Sequence, residues 1–568
     1  MPSLPLGIRV LFALFNILYH TPPIPKTSAH ANFIMSGEVK TSDMPPASRP
    51  TGTSSDTPPS TTIGGEMKFA PTNTESNTVS GDIEHQDDDS QLRKEYLRKC
   101  DRWVMTMVFL AWFLFYLDRG TISLAYINGM GKDLRLDGKK LNLAVMIFFA
   151  TYIVVNIPAN LILRHVGARY WLSGLIFTWG FVTTMTGFVN NYTGLLISRL
   201  FLGLCEGGFL GGALLFLGFF YTRGELMARI GIFFSSTPLA AAVAGLLGLG
   251  LGGIHYHGYN GWPWILFVEG AATVILGTFT FFALPDTPDK AWFLSPECRI
   301  VARRRLHADS GKVPIDNEAI DNTSQPVKDK LKGDTLKRAL THPLTWLMSI
   351  SAFCTVSAVY SWNLFMPPIV QSMVQPNERL KANGLTVPPN IAGFISTILI
   401  TLLARKVQRV GLTIAATALC GVLGFSLLLG GARKGSVAIQ YTGTFFAAMG
   451  VYPLLPLGLY WITVNARPHF ERAIAIGFVV MIGNMGAFVA SFTYIPDETP
   501  YIKGHGINVG FMLAIIALAL VTVRYMQWEH NKRERGERDA QLNGPQGVPQ
   551  EVHEMYLGWR HPRFRYVM

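Results

Sequence analysis

Five ionisable residues interrupt stretches that are otherwise apolar. Asp118 and Arg119 stand side by side in VFLAWFLFYLDRGTISLAY, Arg199 and Glu206 lie in SRLFLGLCEGGFLGG, and Glu269 ends the run WILFVEG. A charge at the centre of a bilayer costs roughly 2.5–3.5 kcal/mol on insertion scales, so a charge kept there usually serves binding or proton movement. Arg199 and Glu206 are two helical turns apart, ~10.5 Å along the axis, and share one helix face with Gly203 and Gly207. A carboxyl beside an Arg in a low-dielectric site has a proton affinity that small rearrangements change. Glu206 therefore reads as a proton site, the alternative being a fixed ion pair that only orients helices. Asp118 and Arg119 project in different directions on a helix and need not pair with each other. Arg119 is suited to hold a carboxylate through two parallel hydrogen bonds. Asp118 reads as a second proton site or as a partner for Arg199. Glu269 is a further candidate, its alternative being a buried carboxyl bonded to nearby backbone.

The elements that carry these residues follow from composition. Of 568 residues, 49% are hydrophobic and 15% charged, against about 25% charged in ordinary soluble domains. The apolar residues are concentrated in about twelve stretches of roughly 20 residues, the length that crosses ~30 Å of hydrocarbon. They lie near 103–127, 141–163, 171–189, 194–221, 229–252, 262–284, 344–372, 388–404, 411–430, 437–463, 472–494 and 506–527. The spacing predicts a tail over 1–102, a six-helix bundle over 103–284, a basic link over 285–343, a second bundle over 344–527 and a tail over 528–568. The expected fold is an all-α membrane protein with twelve transmembrane helices in two six-helix bundles.

A net charge of +12 does not point to nucleic acid, because the basic residues flank alternate ends of the spans. Arg93, Lys94, Arg98, Lys99 and Arg102 precede the first span, and Arg164, Arg169, Arg223 and the 285–343 link continue the same side. By the positive-inside rule both termini and the link are expected in the cytoplasm. Lys132, Arg135, Lys139 and Lys140 are an exception on the other side, partly offset by Asp133 and Asp137. Residues 36–90 are rich in Ser, Thr, Pro, Gly and Asp and are expected to be disordered. The short apolar run LPLGIRVLFALFNILYH has the pattern of a weak signal sequence, at odds with the basic cluster at 93–102, and reads as a dispensable extension.

The two halves differ in chemistry. Spans of the second half carry no Asp or Glu in their interiors and offer Asn363, Tyr460, Trp461, Asn465, Asn484 and Tyr494 instead. The first half is expected to handle protons and ionic contacts, the second to supply hydrogen bonds and shape. Tyr116, Trp362 and Trp461 are candidates for cavity lining, with packing as the alternative. Gly203, Gly207 and Gly211, like Gly208 and Gly212, form small-residue stripes that let helices approach closely.

Other motifs carry nothing. Gly248, Gly250 and Gly253 match a dinucleotide fingerprint but sit inside a span rather than after a strand. Asn191–Tyr192–Thr193 is a glycosylation sequon too close to the membrane, and His255 and His257 form no ligand set. Five scattered cysteines imply neither disulfides nor a metal site. No nucleophile, phosphate-binding or metal arrangement suggests an enzyme, and no cofactor is expected.

With these residues in place, the chain resembles the anion:cation symporter branch of the major facilitator superfamily, and within it the fungal allantoate permease-like group. The resemblance covers about 95–530 and rests on YLDRGTISLAYINGMGKDL, IPANLILRHVGARYWL, SRLFLGLCEGGFLGG, WILFVEG, FFALPDTPDKAWFL and IGNMGAFVASFTYIPDETPYIKGHG. It implies proton coupling through Glu206 and Asp118, and contacts to an organic anion from Arg119, Arg199, Tyr116 and Asn484; Glu269, Trp461 and Asn465 remain further candidates. Two departures stand out. The acid usual before the Arg of the second-to-third-helix loop is replaced by Arg164, and the Arg usual between the two Trp residues before Glu269 is replaced by Pro263. The expected activity is proton-coupled import of a small organic anion, such as a vitamin, ureide or sugar acid, by a monomer in the plasma membrane. A drug or toxin/proton antiporter of the same fold, or a nutrient receptor that does not transport, are the alternatives.

Overall fold

The computed structural model describes residues 91–137, 139–254, 261–309, 337–375, 378–466, 469–495, 498–542 and 557–568. The expectations for residues 1–90, for His255 and His257 and for the middle of the 285–343 link lie outside the described residues.

Among the described residues the secondary structure is helical, with no strand. A segment in hydrocarbon must satisfy its own backbone N–H and C=O groups, and a continuous helix does so. Twelve long helices result. They are α1 (Gln91–Asp133), α2 (Lys140–Val166), α3 (Ala168–Thr186), α4 (Tyr192–Phe220), α5 (Arg223–Leu251), α6 (Gly261–Ala283), α7 (Pro343–Gln371), α8 (Arg379–Val407), α9 (Val410–Lys434), α10 (Val437–Asn465), α11 (His469–Thr493) and α12 (Ile502–Glu534). Ten of the described helices are long and apolar enough to cross a membrane, the crossing part of α11 being Ile474–Thr493; α2 and α3 complete the twelve.

Local chemistry sets the helix ends. Asn191 caps α4 by accepting the Gly194 N–H at 2.7 Å. Thr222 and Glu225 form a reciprocal capping box at the start of α5. His342 caps α7, its Nδ1 accepting the Leu344 N–H at 3.1 Å. The two-helix turn between α2 and α3 passes through Gly167 at φ 90°, a conformation closed to most side chains. Four of the helices are broken along their length: α1 at Asn128–Gly129, α4 after Glu206, α8 at Thr386 and α10 between Val451 and Leu454.

The helices form two six-helix bundles. In the first, α3 packs on α6, α1 on α5 and α2 on α4; in the second, α9 packs on α10 and α12, and α7 on α11. The bundles meet along α5 with α8, α2 with α11 and α1 with α7. The glycine stripe of α4 has a clear packing role: a Cβ on Gly203 would lie 2.0 Å from Thr151 Oγ1 and 2.3 Å from the Phe148 carbonyl on α2.

Alternation of the helices places the turns at 167, 222, 408 and 466, the described ends of the 285–343 link and the start of α1 on one face, here called the basic face. A helix of the link, Pro296–Asp309, packs Cys298, Val301 and Ala302 inward and exposes Arg303 and Arg304. Arg305 is half-buried and forms an ion pair with Glu225, which also holds Arg93 at 3.1 Å. Arg229 grips Asp101 at 2.7 and 2.9 Å and ties α5 to α1.

Candidate functional site

The five charges singled out from sequence meet inside the first bundle. Asp118, Arg119, Arg199, Glu206 and Glu269 are each at most 4% exposed. Asp118 and Arg119 come from α1, Arg199 and Glu206 from α4, and Glu269 from α6. Because successive helix residues turn by about 100°, Asp118 and Arg119 face different neighbours. Asp118 Oδ2 accepts the Thr183 hydroxyl of α3 at 2.7 Å. Arg119 points to α4, where Nε and Nη2 each donate to Glu206 Oε2 at 3.3 Å. Its Nη1 donates to the Tyr360 hydroxyl of α7, in the opposite bundle.

Arg119 is also enclosed by aromatic rings. Its guanidinium carbon lies 4.0 Å from the Phe115 ring centre, 4.7 Å from Tyr152 and 5.1 Å from both Phe148 and Tyr360. Ring faces carry negative charge density, so such a cage steadies a cation where water does not reach. Asp118 Oδ1 and Glu206 Oε1 have no hydrogen-bond partner among the described atoms. Arg199 completes the group through electrostatic contact with Asp118, Glu206 and Glu269. Three carboxyls against two guanidiniums leave one negative charge, which one bound proton cancels. Burial makes that balance matter, since an uncompensated charge in a dry interior is expensive.

Beside this cluster, between the bundles, lies a cavity of about 800 Å³ including its open mouth. Trp112 and Tyr116 of α1 line it together with Tyr360 of α7, Trp461 of α10 and Asn484 of α11. These residues lie at mid-depth or in the half of each helix nearer the basic face, so the cavity occupies that half. The rest of its wall is apolar, with Val356, Val359, Leu455 and Val480 typical, and Ser351 and Thr355 among the polar exceptions. Tyr116 and Tyr360 stack at 6.1 Å with planes 11° apart. They separate the cavity from the guanidinium of Arg119.

On the opposite half the bundles are joined. Asn142 of α2 donates to the backbone carbonyls of Ser491 at 2.5 Å and Tyr494 at 2.8 Å. Asn383 of α8 donates to Asn128 of α1 at 3.2 Å. Gly245 of α5 approaches so closely that a Cβ there would lie 2.2 Å from Thr386 Oγ1. The molecule is therefore sealed on one side and hollow on the other.

Of the residues named from sequence, Asp118, Arg119, Arg199, Glu206 and Glu269 share the buried cluster, and Tyr116, Trp461 and Asn484 line the cavity. Asn465 lies elsewhere, at the basic-face end of α10, where it bonds Val567. Tyr360, Thr183 and Tyr152 did not emerge from sequence reasoning. A tyrosine in the middle of the apolar stretch SAVYSWN is the signal that marks Tyr360. Among the described residues no group of His, Cys, Asp and Glu is arranged to hold a metal ion.

Comparison with known proteins agrees with this architecture. A family model described as Major Facilitator Superfamily matches residues 108–491. An uncharacterised transporter of Schizosaccharomyces pombe is 30% identical over 479 residues, covering 82% of this chain and 92% of the relative. The major facilitator-type transporter hxnP of Emericella nidulans is 28% identical over 490 residues, covering 84% of this chain and 94% of the relative. Among solved structures, a D-xylose-proton symporter superposes with a TM-score of 0.56 at 11% identity, over 75% of this chain and 97% of that one. A bacterial homologue of the human lysosomal transporter Spinster, in an inward-facing and unoccupied conformation, gives 0.54 at 15% identity, over 74% and 96%. At such identities the structures bear on the fold alone.

Proposed function

This chain belongs to the major facilitator superfamily, and from that premise we propose that it is a proton-coupled importer of a small organic anion, of the anion:cation symporter branch and its allantoate permease-like group. A membrane transporter with this fold works by alternating which face of a central site is open. The observation that carries the proposal is the sharing of Arg119 between Glu206 in its own bundle and Tyr360 in the other.

That arrangement gives coupling a physical cause. While Glu206 is ionised, its charge occupies Arg119. A proton on Glu206 leaves the guanidinium without its counter-charge, and a carboxylate in the cavity replaces it once the tyrosine pair parts. The reverse also holds: an anion on Arg119 makes an ionised Glu206 or Asp118 unfavourable and draws in a proton. One further proton per monovalent anion keeps the cluster's charge constant, so the loaded carrier can reorient without moving net charge through hydrocarbon. Arg199 provides a second cation for the anion or for Asp118, and Asn484 offers hydrogen bonds from the second bundle.

The apolar cavity wall favours a vitamin-like carboxylate with an apolar or aromatic body over a sugar acid or ureide. A polyhydroxylated body would leave several polar groups without partners there, at about 1–3 kcal/mol each. The basic face is read as cytoplasmic, with both termini on that side, and the protein as a monomer of the plasma membrane. The same apolar wall supports a second reading, an antiporter that exports an apolar compound in exchange for protons.

The deciding experiment is uptake of a panel of labelled carboxylates at acidic external pH, by cells lacking their own permeases, with and without an uncoupler. Uncoupler-sensitive uptake that is lost in Arg119→Ala supports the symporter. No uptake by protein correctly at the surface, with proton-driven efflux of apolar dyes, supports the antiporter instead.

A further inference from the structure

A second binding site lies on the basic face of the second bundle, away from the charged cluster. It holds the segment 557–568. Asn465 at the end of α10 takes both polar backbone groups of Val567: its Nδ2 donates to the Val567 carbonyl at 2.9 Å, and its Oδ1 accepts the Val567 N–H at 2.7 Å. Trp461 Nε1 donates to the same carbonyl at 2.8 Å. Paired donor and acceptor contacts of this kind read a backbone as a neighbouring strand would, and they need the segment in one register.

Side chains from two further helices complete the site. The Tyr566 N–H donates to His530 Nε2 of α12 at 2.8 Å, and Arg533 Nη2, also of α12, donates to the Trp559 carbonyl at 2.8 Å. Tyr566 is 4% exposed, and its hydroxyl lies 3.4 Å from His342 Nε2 at the start of α7. The His342 ring meets Trp559 edge to face at 3.8 Å. His342 Nδ1 already accepts the Leu344 N–H, so the proton of a neutral ring sits on Nε2, facing Tyr566. Burial, reinforced by Arg560 and Arg533, lowers His342 to a pKa of about 3, which keeps that ring neutral.

The site touches the central cavity through Trp461, which lines the cavity and bonds Val567 at once. Closing the hollow side of a two-bundle carrier requires the basic-face ends of the helices around its mouth to move, and α10 is one of them. The segment joins α10 to α7 and α12. We propose that this face is a peptide-binding site for the chain's own 557–568 segment, and that its occupancy holds the end of α10, with Trp461, in the arrangement that leaves the cavity open to the basic face. Release of the segment is then a step that precedes closure, and a cytoplasmic partner or modification that pulls the segment away speeds cycling.

The test needs no knowledge of the transported substrate. A fluorescent peptide of residues 557–568 is titrated into purified protein shortened after Gln550 and into the full chain. The shortened protein binds the peptide at micromolar concentration, Asn465→Ala weakens binding at least tenfold, and the full chain binds at least tenfold more weakly because its site is filled. Conformation is read separately, from thiol labelling of Ser351→Cys in the cavity, in a background without other cysteines. Labelling slows at least threefold in the shortened protein and recovers when peptide is added. In the full chain Val567→Pro, which removes the N–H held by Asn465 and also restricts the backbone at 566–567, slows it in the same direction. Equal peptide binding by full and shortened chains, absence of binding by monodisperse shortened protein, or labelling unchanged by shortening and by Val567→Pro would each overturn the proposal.

Discussion

Arg119 and Tyr360, 241 residues apart in sequence, meet by a hydrogen bond that crosses from the first bundle to the second. The same guanidinium holds Glu206 at 3.3 Å. One side chain thus senses both the charge state of its own bundle and the position of the other.

Tyr360→Phe keeps the ring stacked on Tyr116 and removes only the acceptor. A hydrogen bond to a charged group contributes about 1.5–3 kcal/mol, so the sealed arrangement is predicted to lose roughly tenfold or more in relative population. The measurement is labelling of Ala241→Cys, in the small cavity of the sealed half, by an impermeant thiol reagent. Labelling should rise; an unchanged rate would show that the bond does not bias the two arrangements.

Glu206→Gln removes the charge that neutralises Arg119 and cannot take a proton. Concentrative uptake should fall to simple equilibration, while exchange of labelled for unlabelled anion persists. Unchanged gradient-driven accumulation in this variant would sink the assignment of Glu206 as the coupling carboxyl.

Gly203→Ala tests packing independently of transport. Its Cβ would lie 2.0 Å from Thr151 Oγ1 and 2.3 Å from the Phe148 carbonyl, whereas Gly174 has nothing within 4 Å of a built Cβ. Overpacking of this kind costs about 1–3 kcal/mol. Thermal unfolding in detergent should shift down clearly for Gly203→Ala and stay unchanged for Gly174→Ala; similar melting of the two variants would refute the close α2–α4 contact.

Glu471 provides a pH dependence outside the membrane-crossing segments. Burial raises its carboxyl from 4.5 to about 7, against the opposing pull of Arg338, 2.9 Å away, and of Arg560. Trp559 also faces it, and His342 lines the same small cavity. A raised carboxyl favours the folded state fully below its unfolded value, and that contribution is lost as pH rises through the folded one. Wild type should therefore melt lower as pH rises from 4.5 to about 7, relative to Glu471→Gln run alongside. Parallel curves for the two proteins would contradict this.

The sequence by itself determined the architecture and the candidates for the charged cluster. Each of the twelve apolar stretches is long enough that a helix is the only way to hide its backbone in hydrocarbon. Five charges kept inside them, at a cost of a few kcal/mol each, marked the candidates for that cluster, with Glu269 left open between a place in it and a bond to nearby backbone. The caps at Asn191 and at Thr222–Glu225 act within one turn and depend on neighbouring residues alone.

Pairing was decided only in three dimensions. Glu206 takes Arg119 from α1 rather than Arg199 from its own helix, because residues two turns apart stand ~10.5 Å from each other while glycine contacts between α2 and α4 help set how the helices converge. Tyr360 joins the site because α7 packs on α1 across the bundle boundary, a contact that no spacing within either half encodes. Asn465, one of several polar residues in an apolar stretch, holds the Val567 backbone rather than lining the central cavity, because a residue far along the chain folds back onto the end of α10. Helical periodicity fixes which face a residue shares with its own helix; which neighbour that face meets depends on the crossing of helices remote in sequence.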